Sequence, residues 1–345
     1  MRRPRGYPKN AFESTGETMT HLTVDHRQAA MQAWLERSGI DSAGLLPLAA
    51  DAGGRRYFRL PVADGSRVIM DAPDQTEACR AFLQVRDLMA AAGLHVPRVE
   101  MADPQRGFMM LEDLGAQSYL AAFQDGQAAR LMEDALSALV RWQAATRADP
   151  LPRYDHRLLR QELDLFPQWY VQRHLGLEPN HGWWARWRAG SQQLVDAATG
   201  QPQVWVHRDF MARNLLVSAP NPGIIDFQDA MLGPVTYDLV SLLRDAFFGF
   251  SPDQERHWIA RYEALANASG VPVPDDLPMA LDWMGAQRHL KVLGVFARLR
   301  YRDGKPRYLT DASRFIAYLD RELSTHAALM DLHELIQSLP APGEP

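Results

Sequence analysis

The stretch His207-Arg208-Asp209-Phe210-Met211-Ala212-Arg213-Asn214, followed by Ile224-Ile225-Asp226, constrains this chain more than any other feature. It reads HxDxxxxN and then an apolar pair ending in a second Asp. Metal-dependent phosphoryl transfer needs such a set: a carboxylate that orients a hydroxyl and accepts its proton, and an Asn and a second Asp that hold Mg2+ on nucleotide phosphates. The flanks fit a fold that gathers them. Val204-Trp205-Val206 and Leu215-Leu216-Val217 read as short buried strands, Asn221-Pro222-Gly223 as a turn, and Ile224-Ile225 as a third strand. Asp209, Asn214 and Asp226 then meet at strand ends and loops, where reactive groups usually sit. A loop with a capping Asp and a turn Asn is the plain alternative, and the complete spaced set argues against it.

The motif resembles that of the protein-kinase-like superfamily, in its aminoglycoside-phosphotransferase branch of small-molecule kinases. Likeness to eukaryotic protein kinases stops early: Asp226-Phe227-Gln228 replaces DFG, no APE follows, and 233–238 leads straight into an apolar helix. The resemblance implies a bilobal α+β fold, with a small N-terminal lobe built on an antiparallel sheet and a larger, mainly helical C-terminal lobe. It also implies Asp209 as catalytic base, Asn214 and Asp226 as Mg2+ ligands, and ATP as donor. His207 is expected to hold the loop rather than move protons. Asp238 resembles a buried Asp that braces the catalytic loop in this superfamily; an N-cap for a helix over 239–244 fits it equally well.

Composition sets the remaining bounds. With 345 residues and 46% hydrophobic, the chain can bury a sizeable core in one bilobal domain or two coupled lobes. A net charge of −5 and a pI near 6.1 give no bulk attraction for nucleic acid. Cys79 is the only cysteine, which excludes an intramolecular disulfide and a multi-Cys metal site. Met1-Arg2-Arg3 begins like a signal peptide, but no apolar segment follows, and no stretch approaches the ~20 apolar residues of a membrane span. A cytoplasmic monomer, free of membrane, is the expectation. Residues 1–20 read as a disordered tail, 21–114 as the nucleotide lobe and hinge, 115–339 as the catalytic and substrate lobe, and 340–345 as a frayed end.

Within the first lobe, Ala29, Ala30, Ala33 and Trp34 mark a helix from Asp25 to Arg37. Residues 55–60 and 66–70 read as strands around the turn Ala63-Asp64-Gly65, and a helix from about Asp74 to Ala92 carries Ala78, Phe82, Val85, Leu88 and Met89 on one face. Residues 94–99 and 107–111 follow as strand-like segments. The second runs into Glu112-Asp113-Leu114-Gly115, which resembles the superfamily's hinge, so backbone groups of Glu112 and Leu114 are expected at adenine.

One departure from the superfamily pattern stands out. A Lys usually neutralises the nucleotide phosphates from the third strand, yet here that place reads Val68-Ile69-Met70-Asp71-Ala72-Pro73, and Lys9, Lys291 and Lys305 are the only lysines. Arg55 and Arg56, after Gly53-Gly54, are the nearest substitutes, because guanidinium grips phosphate bidentately. Strand alternation sends them to opposite faces, so one of the two is expected at ATP. Glu77 is placed either to orient that Arg or to close a capping box with Asp74.

Beyond the hinge the chain reads helical, with Leu131, Ala135, Leu139 and Trp142 as core and an insertion bearing Trp183, Trp184 and Trp187. Residues 287–299, continuing through 302–305 to 308–309, resemble the C-terminal helices of the bacterial N-acetylmuramate/N-acetylglucosamine 1-kinase family, as do 55–60 and 70–73. The likeness covers about residues 25–335 and implies phosphorylation of an anomeric hydroxyl in cell-wall (peptidoglycan) recycling. Between Leu281 and Phe315, the basic Arg288, Lys291, Arg298, Arg300, Arg302, Lys305, Arg307 and Arg314 outweigh Asp282, Asp303 and Asp311. Such a basic wall suits an anionic amino sugar and repels a polycationic aminoglycoside. Arg288 is the first candidate for a sugar carboxylate; Arg213 and Asp229, flanking the motif, are further candidates for sugar contacts. A kinase of the same fold for an amino alcohol or aminoglycoside is one alternative, and a non-catalytic nucleotide-binding regulator is the other.

Overall fold

The computed structural model describes residues 16–48, 54–73, 75–148, 150–306, 309 and 312–340. The expected tail is therefore outside the described residues up to position 15, as are Gly53, Asp74, Arg307, Tyr308 and the 341–345 end. Two units are distinguished, Met1–Arg80 with Arg98–Asp113, and Ala81–Pro97 with Leu114–Pro345.

Apolar side chains that recur at every second position fold the first unit around one sheet. It contains β1 (Leu46–Pro47), β2 (Arg56–Val62), β3 (Gly65–Asp71), β4 (Val99–Asp103) and β5 (Phe108–Glu112), in the order β1-β2-β3-β5-β4 with antiparallel neighbours. Phe58 and Leu60 alternate inward on β2, and Ile69 and Met110 face the same core from β3 and β5. At the β2–β3 turn Gly65 takes φ +134°, a conformation that a side chain would strain. Helix α1 (Gly16–Arg37) starts earlier than the sequence suggested and covers this face with Met31, Trp34 and Leu35. Ala29 and Ala30, expected in the apolar stripe, are exposed: the larger side chains bury more area and fix the rotation of the helix.

The two arginines proposed for phosphate have structural surroundings. Asp71 is fully buried where the superfamily Lys was sought, and it accepts from Arg27 Nε at 2.8 Å and from Arg56 Nε at 3.0 Å. Arg56 is thus committed to a carboxylate of its own sheet. Arg55 is buried at 8% exposure beside the same cluster, close enough for its charge to act on the buried Cys79 thiol. Glu77 does not orient either arginine: its carboxylate is exposed and pairs with Arg80 one turn along the helix at 2.8 Å. Asp113, at the end of the unit, accepts from Arg59 Nε at 2.5 Å and Ser66 Oγ at 2.7 Å, tying the chain after β5 to β2 and β3.

Helix α2 (Thr76–Ala91) crosses the division and carries Phe82, Val85, Leu88 and Met89 on its buried face, as expected. The second unit then runs through α3 (Tyr119–Gln124), α4 (Ala128–Ala144), α5 (His156–Leu163), a π-helical stretch Phe166–His174 and α6 (His181–Gly200). Next come β6 (Gln203–Val206), a 3-10 turn Ala212–Asn214, β7 (Leu215–Leu216), β8 (Gly223–Ile224) and β9 (Met231–Pro234). Helices α7 (Tyr237–Leu243), α8 (Pro252–Ala268), α9 (Leu277–Tyr301), α10 (Ala312–Ser324) and α11 (Met330–Gln337) complete it. Two small antiparallel ladders, β6 with β9 and β7 with β8, hold the motif region. Residues 94–98, expected in a strand, contribute only a bridge from His95 to Gly223.

Helix α9 is the spine, packed on Phe166–His174, α6, α7 and α10. Two glycines let it approach so closely. At Gly294 a Cβ would collide with the backbone of Leu165 and Phe166, and at Gly285 with the Glu322 carboxylate. The space at Gly285 is filled by an ion cluster: Arg244, 4% exposed, reaches Glu255 at 2.8 Å, Asp282 at 2.8 Å and Glu322 at 2.7 Å, joining α7, α8, α9 and α10. Among the described residues no helix is long and apolar enough to cross a membrane.

The Asp71 cluster generates a stability prediction. Arg56→Ala leaves a buried carboxylate with one of its two guanidinium partners, so unfolding free energy should fall by about 1–3 kcal/mol, read from the urea midpoint at constant m-value. A loss under about 0.5 kcal/mol, with nucleotide use sharply impaired, would instead place Arg56 at phosphate.

Candidate active site

Strand β6 delivers His207 into the interior, where it is fully buried. Its Nε2 lies 3.1 Å from the Ile225 carbonyl and must donate to it, which leaves Nδ1 to accept the Asp209 backbone N–H at 3.3 Å. His207 therefore ties the loop to the segment before Asp226. Asp238, in the first turn of α7, accepts the backbone N–H groups of His207 at 2.6 Å and Arg208 at 2.9 Å. It is the loop brace and not an N-cap; the cap position belongs to Thr236. Arg208 at φ +75° and Asp226 at φ +63° are the non-glycine residues with positive φ among the described ones. Backbone strain is thus held at the two ends of the motif.

The three motif residues converge. Asn214 Nδ2 donates to the Asp209 carbonyl at 2.9 Å and lies 3.5 Å from Asp226 Oδ2. Gln228 Nε2 donates to Asp226 Oδ1 at 2.9 Å and reaches Asp229 Oδ2 at 3.3 Å. Asp226 is thereby anchored by amides while keeping lone pairs, and the Asn214 carbonyl oxygen is turned to the other side of its amide. These are oxygen donors, suited to a hard divalent cation. Among the described residues no three His, Cys, Asp or Glu side chains converge as a ready cage. A metal held by Asn214 and Asp226 would draw its other ligands from water and phosphate, the usual habit of small divalent ions.

Asp209 itself is partly exposed, and no ion pair among the described residues includes its carboxylate. Burial pushes its carboxyl pKa upward, but Lys291 above all, with Arg208 and Arg288, pulls it below the ordinary value. The group is held ionised by charges that do not occupy it.

The source of that field was not foreseen from the sequence. Glu162 on α5 gathers Arg208, the Tyr154 hydroxyl and Lys291, the last at 3.5 Å. Lys291 on α9 also donates to the Tyr237 hydroxyl at 3.1 Å, and the Arg208 guanidinium lies 5.0 Å above the Tyr154 ring. Burial lowers the Lys291 ammonium pKa most strongly, yet Glu162, with Tyr237 and Asp209, together outweighs burial and raises it overall. The one signal available was the i, i+3 spacing of Arg288 and Lys291, which sets both on one helix face.

Arg288 is 3% exposed, and its Nε and Nη1 find no hydrogen-bond partner among the described residues. Asp245, 2% exposed just after α7, accepts the Ala246 N–H at 2.6 Å through Oδ1, while its Oδ2 is unpartnered. Burial raises the Asp245 carboxyl pKa, and Arg288 and Arg213 oppose that rise. Arg213 is exposed, its guanidinium 5.0 Å above the Phe247 ring. Asp229 is exposed and joins the Asp226 end of the site through Gln228. The basic segment is not one wall: Arg288 and Lys291 turn inward, whereas Arg302 pairs with its neighbour Asp303 at 2.7 Å. Trp187 is buried and stacks on Phe166 and Trp183, and with Trp184 it lines a cavity of about 430 Å3 beside Arg160, Asp164 and Arg188. In the first unit the Glu112 N–H is committed to the Arg98 carbonyl at 2.9 Å, and its carboxylate to Arg98 Nε at 3.0 Å. Leu114 opens the second unit, buried near Gly223.

Burial raises the Asp238 carboxyl from 3.8 to about 6, against the opposing pull of the two backbone N–H groups. Its folded pKa exceeds its unfolded one, so between these values falling pH favours the folded state through this group. The same proton removes acceptor capacity from the loop. Turnover should therefore decline as pH falls through about 6 while the fold persists, and Asp238→Asn should be slow throughout and lack that limb. A pH–rate profile with parallel circular dichroism checks both; an unchanged limb in Asp238→Asn assigns it elsewhere.

Residues 44–272 match the family model described as "Phosphotransferase enzyme family". The chain is similar to the N-acetylmuramate/N-acetylglucosamine kinase of Pseudomonas aeruginosa, 48% identical over 308 residues and covering 88% of this chain and 91% of the relative. It is 41% identical over 322 residues to the Neisseria meningitidis protein of the same name, covering 91% of this chain and 96% of the relative. Among solved structures, a choline kinase from Streptococcus pneumoniae aligns with TM-score 0.63 at 12% identity, covering 86% of this chain and 99% of that one. The APH(2'')-IIa complex with gentamicin aligns with TM-score 0.59 at 13% identity, covering 93% and 99%. These likenesses show a bilobal, kinase-like α+β fold. The chain belongs to the phosphotransferase enzyme family, whose kinase-like fold implies ATP use and a divalent metal.

Proposed function

We propose that this phosphotransferase is an ATP- and Mg2+-dependent kinase for the anomeric hydroxyl of N-acetylmuramate and N-acetylglucosamine, working as a cytoplasmic monomer in peptidoglycan recycling. The names of its relatives support the sugar class. The observation that carries the chemistry is the Asp209 carboxylate, ionised yet in no ion pair among the described residues, beside Asn214 and Asp226.

The sugar hydroxyl donates its hydrogen bond to Asp209, which orients the oxygen lone pair toward the γ-phosphorus. As the new O–P bond forms and the bond to the ADP oxygen breaks, the hydroxyl proton passes to Asp209. An anomeric hydroxyl suits this base, because it is the most acidic hydroxyl of a reducing sugar. Asn214 and Asp226 would hold Mg2+, which when bound neutralises charge on the phosphate oxygens. Arg288 and Arg213 would meet the sugar, and Asp229 is a further contact in this reading. In the nucleotide lobe Arg55 would serve phosphate, with Glu112 and Leu114 near adenine. The inward cations Arg288 and Lys291 support an acceptor that is neutral or anionic over a polycationic aminoglycoside.

Two measurements test this function. ATP consumption should appear with N-acetylmuramate and N-acetylglucosamine and not with choline or kanamycin; the reverse pattern would move the chain to the alcohol- or aminoglycoside-kinase reading. Asp209→Asn preserves size and polarity but removes the proton acceptor, so turnover should fall by roughly two orders of magnitude or more, and Asp226→Ala should lose it through the metal. Near-normal turnover in folded Asp209→Asn would remove Asp209 as base.

A further inference from the structure

We infer that Asp245 and Arg288 form a two-way reader of the sugar 3-position, Asp245 accepting from a hydroxyl and Arg288 pairing with a carboxylate, so that one pocket serves both sugars. The inference rests on the sugar-kinase reading above and assigns to Asp245 a role that the motif does not contain.

Arg288 lies one turn from Lys291 on the same face of α9, and Lys291 is anchored at Glu162 and Tyr237 behind the Asp209 loop. Asp245 follows the C-terminal end of α7, whose first turn braces that loop. His289 Nε2 lies 3.2 Å from the Arg244 carbonyl, so the segments that carry their chain neighbours Arg288 and Asp245 are in contact, and the field of Arg288 reaches both Asp209 and Asp245. Arg288 and Asp245 nevertheless form no ion pair with each other among the described residues. Arg288 keeps two nitrogens, Nε and Nη1, and Asp245 one oxygen without a partner among the described residues, with both side chains more than nine-tenths buried. Native proteins seldom leave buried donors and acceptors open side by side unless a ligand completes them. A buried guanidinium and a buried carboxylate on neighbouring segments, each keeping polar atoms without a partner, describe a polar ligand with both kinds of group.

The two sugars differ there and almost nowhere else. N-acetylglucosamine carries a 3-hydroxyl, which can donate to Asp245 while its oxygen accepts from Arg288. N-acetylmuramate carries a 3-O-lactyl group, which has no hydroxyl proton to give and ends in a carboxylate. Arg288 can take that carboxylate by two parallel N–H bonds, whereas the Asp245 charge repels it. Each residue therefore favours a different sugar, and the balance of the two sets the selectivity.

The test reads the ratio of kcat/KM for N-acetylmuramate over N-acetylglucosamine. Asp245→Asn should raise it about tenfold, and Arg288→Gln should lower it about tenfold. Because a buried-charge variant can fail to fold, the parent enzyme is also assayed with altered sugars. 3-Deoxy-N-acetylglucosamine and the lactyl methyl ester of N-acetylmuramate should each lose about tenfold in kcat/KM against their parents. Ratios that stay fixed, or move in one direction for both variants, overturn the reader, as does full activity on both altered sugars. If the parent turns over neither natural sugar, the sugar-kinase reading fails first. If it turns over both and the ratios do not part, only the Asp245–Arg288 assignment falls.

Discussion

The geometry around Asp209 depends on two consecutive backbone N–H groups, those of His207 and Arg208, donating to one buried carboxylate. A chain leaving a strand would ordinarily continue its ladder or turn to water. Here Asp238 accepts both N–H groups, immediately before the chain turns through positive φ at Arg208. Asp238 can do so because it sits in the first turn of α7, whose N-terminal end favours a negative charge. The position of α7 is fixed in turn by β9, paired in register with β6, so the strand that delivers the loop and the strand that leads to its brace are the same ladder. Disturbing any of these elements displaces Asp209 without touching its side chain.

Charge compensation explains how a carboxylate can remain ionised in that setting and still be free for a substrate. Glu162 takes Arg208 and Lys291 together, so neither cation needs Asp209 as its partner. Both nevertheless lie close enough to hold the Asp209 carboxyl below its ordinary pKa. A direct Lys291–Asp209 ion pair would stabilise the same charge but block the lone pair needed by a hydroxyl. The arrangement is costly in desolvation, and part of that cost is offset by Tyr154, which donates to Glu162 and offers its ring to Arg208, and by Tyr237, which accepts from Lys291.

What could be read from the sequence follows the range over which each feature acts. The motif was legible because its residues are contiguous or separated by one hairpin, and β7 and β8 bring Asn214 and Asp226 together over that short distance. The strands and helices of the first unit were legible through period, although helix rotation was not: Met31 and Leu35 outweigh Ala29 and Ala30 only once there is a sheet to bury them against. The substitute for the missing Lys was sought at Arg55 and Arg56, after Gly53-Gly54, and the buried Asp71 of the next strand proves to engage Arg56. Glu162 and Asp245 gave no local sign, because the cations that Glu162 gathers lie more than forty positions away in sequence and the burial of Asp245 depends on the whole fold. A lone Glu on a helix and a lone Asp after an Arg look like ordinary surface residues until the fold buries them.

The basic stretch near the C-terminus shows why a linear count of charge misleads. Helical periodicity separates its residues, turning Arg288 and Lys291 inward and leaving Arg302 to Asp303. The inward pair can be buried only because α9 comes close to its neighbours, and that approach depends on glycine at 285 and 294. Those glycines sit one turn to either side of the pair, on a helix that also anchors Arg244 through Asp282. Substrate charge preference and the packing of the second unit are therefore set by the same helix. A substitution that lifts α9 away from Phe166–His174 would move Lys291 from Glu162 and shift Arg288 with it, changing the field at Asp209 and, under the proposed function, the sugar contacts in one step.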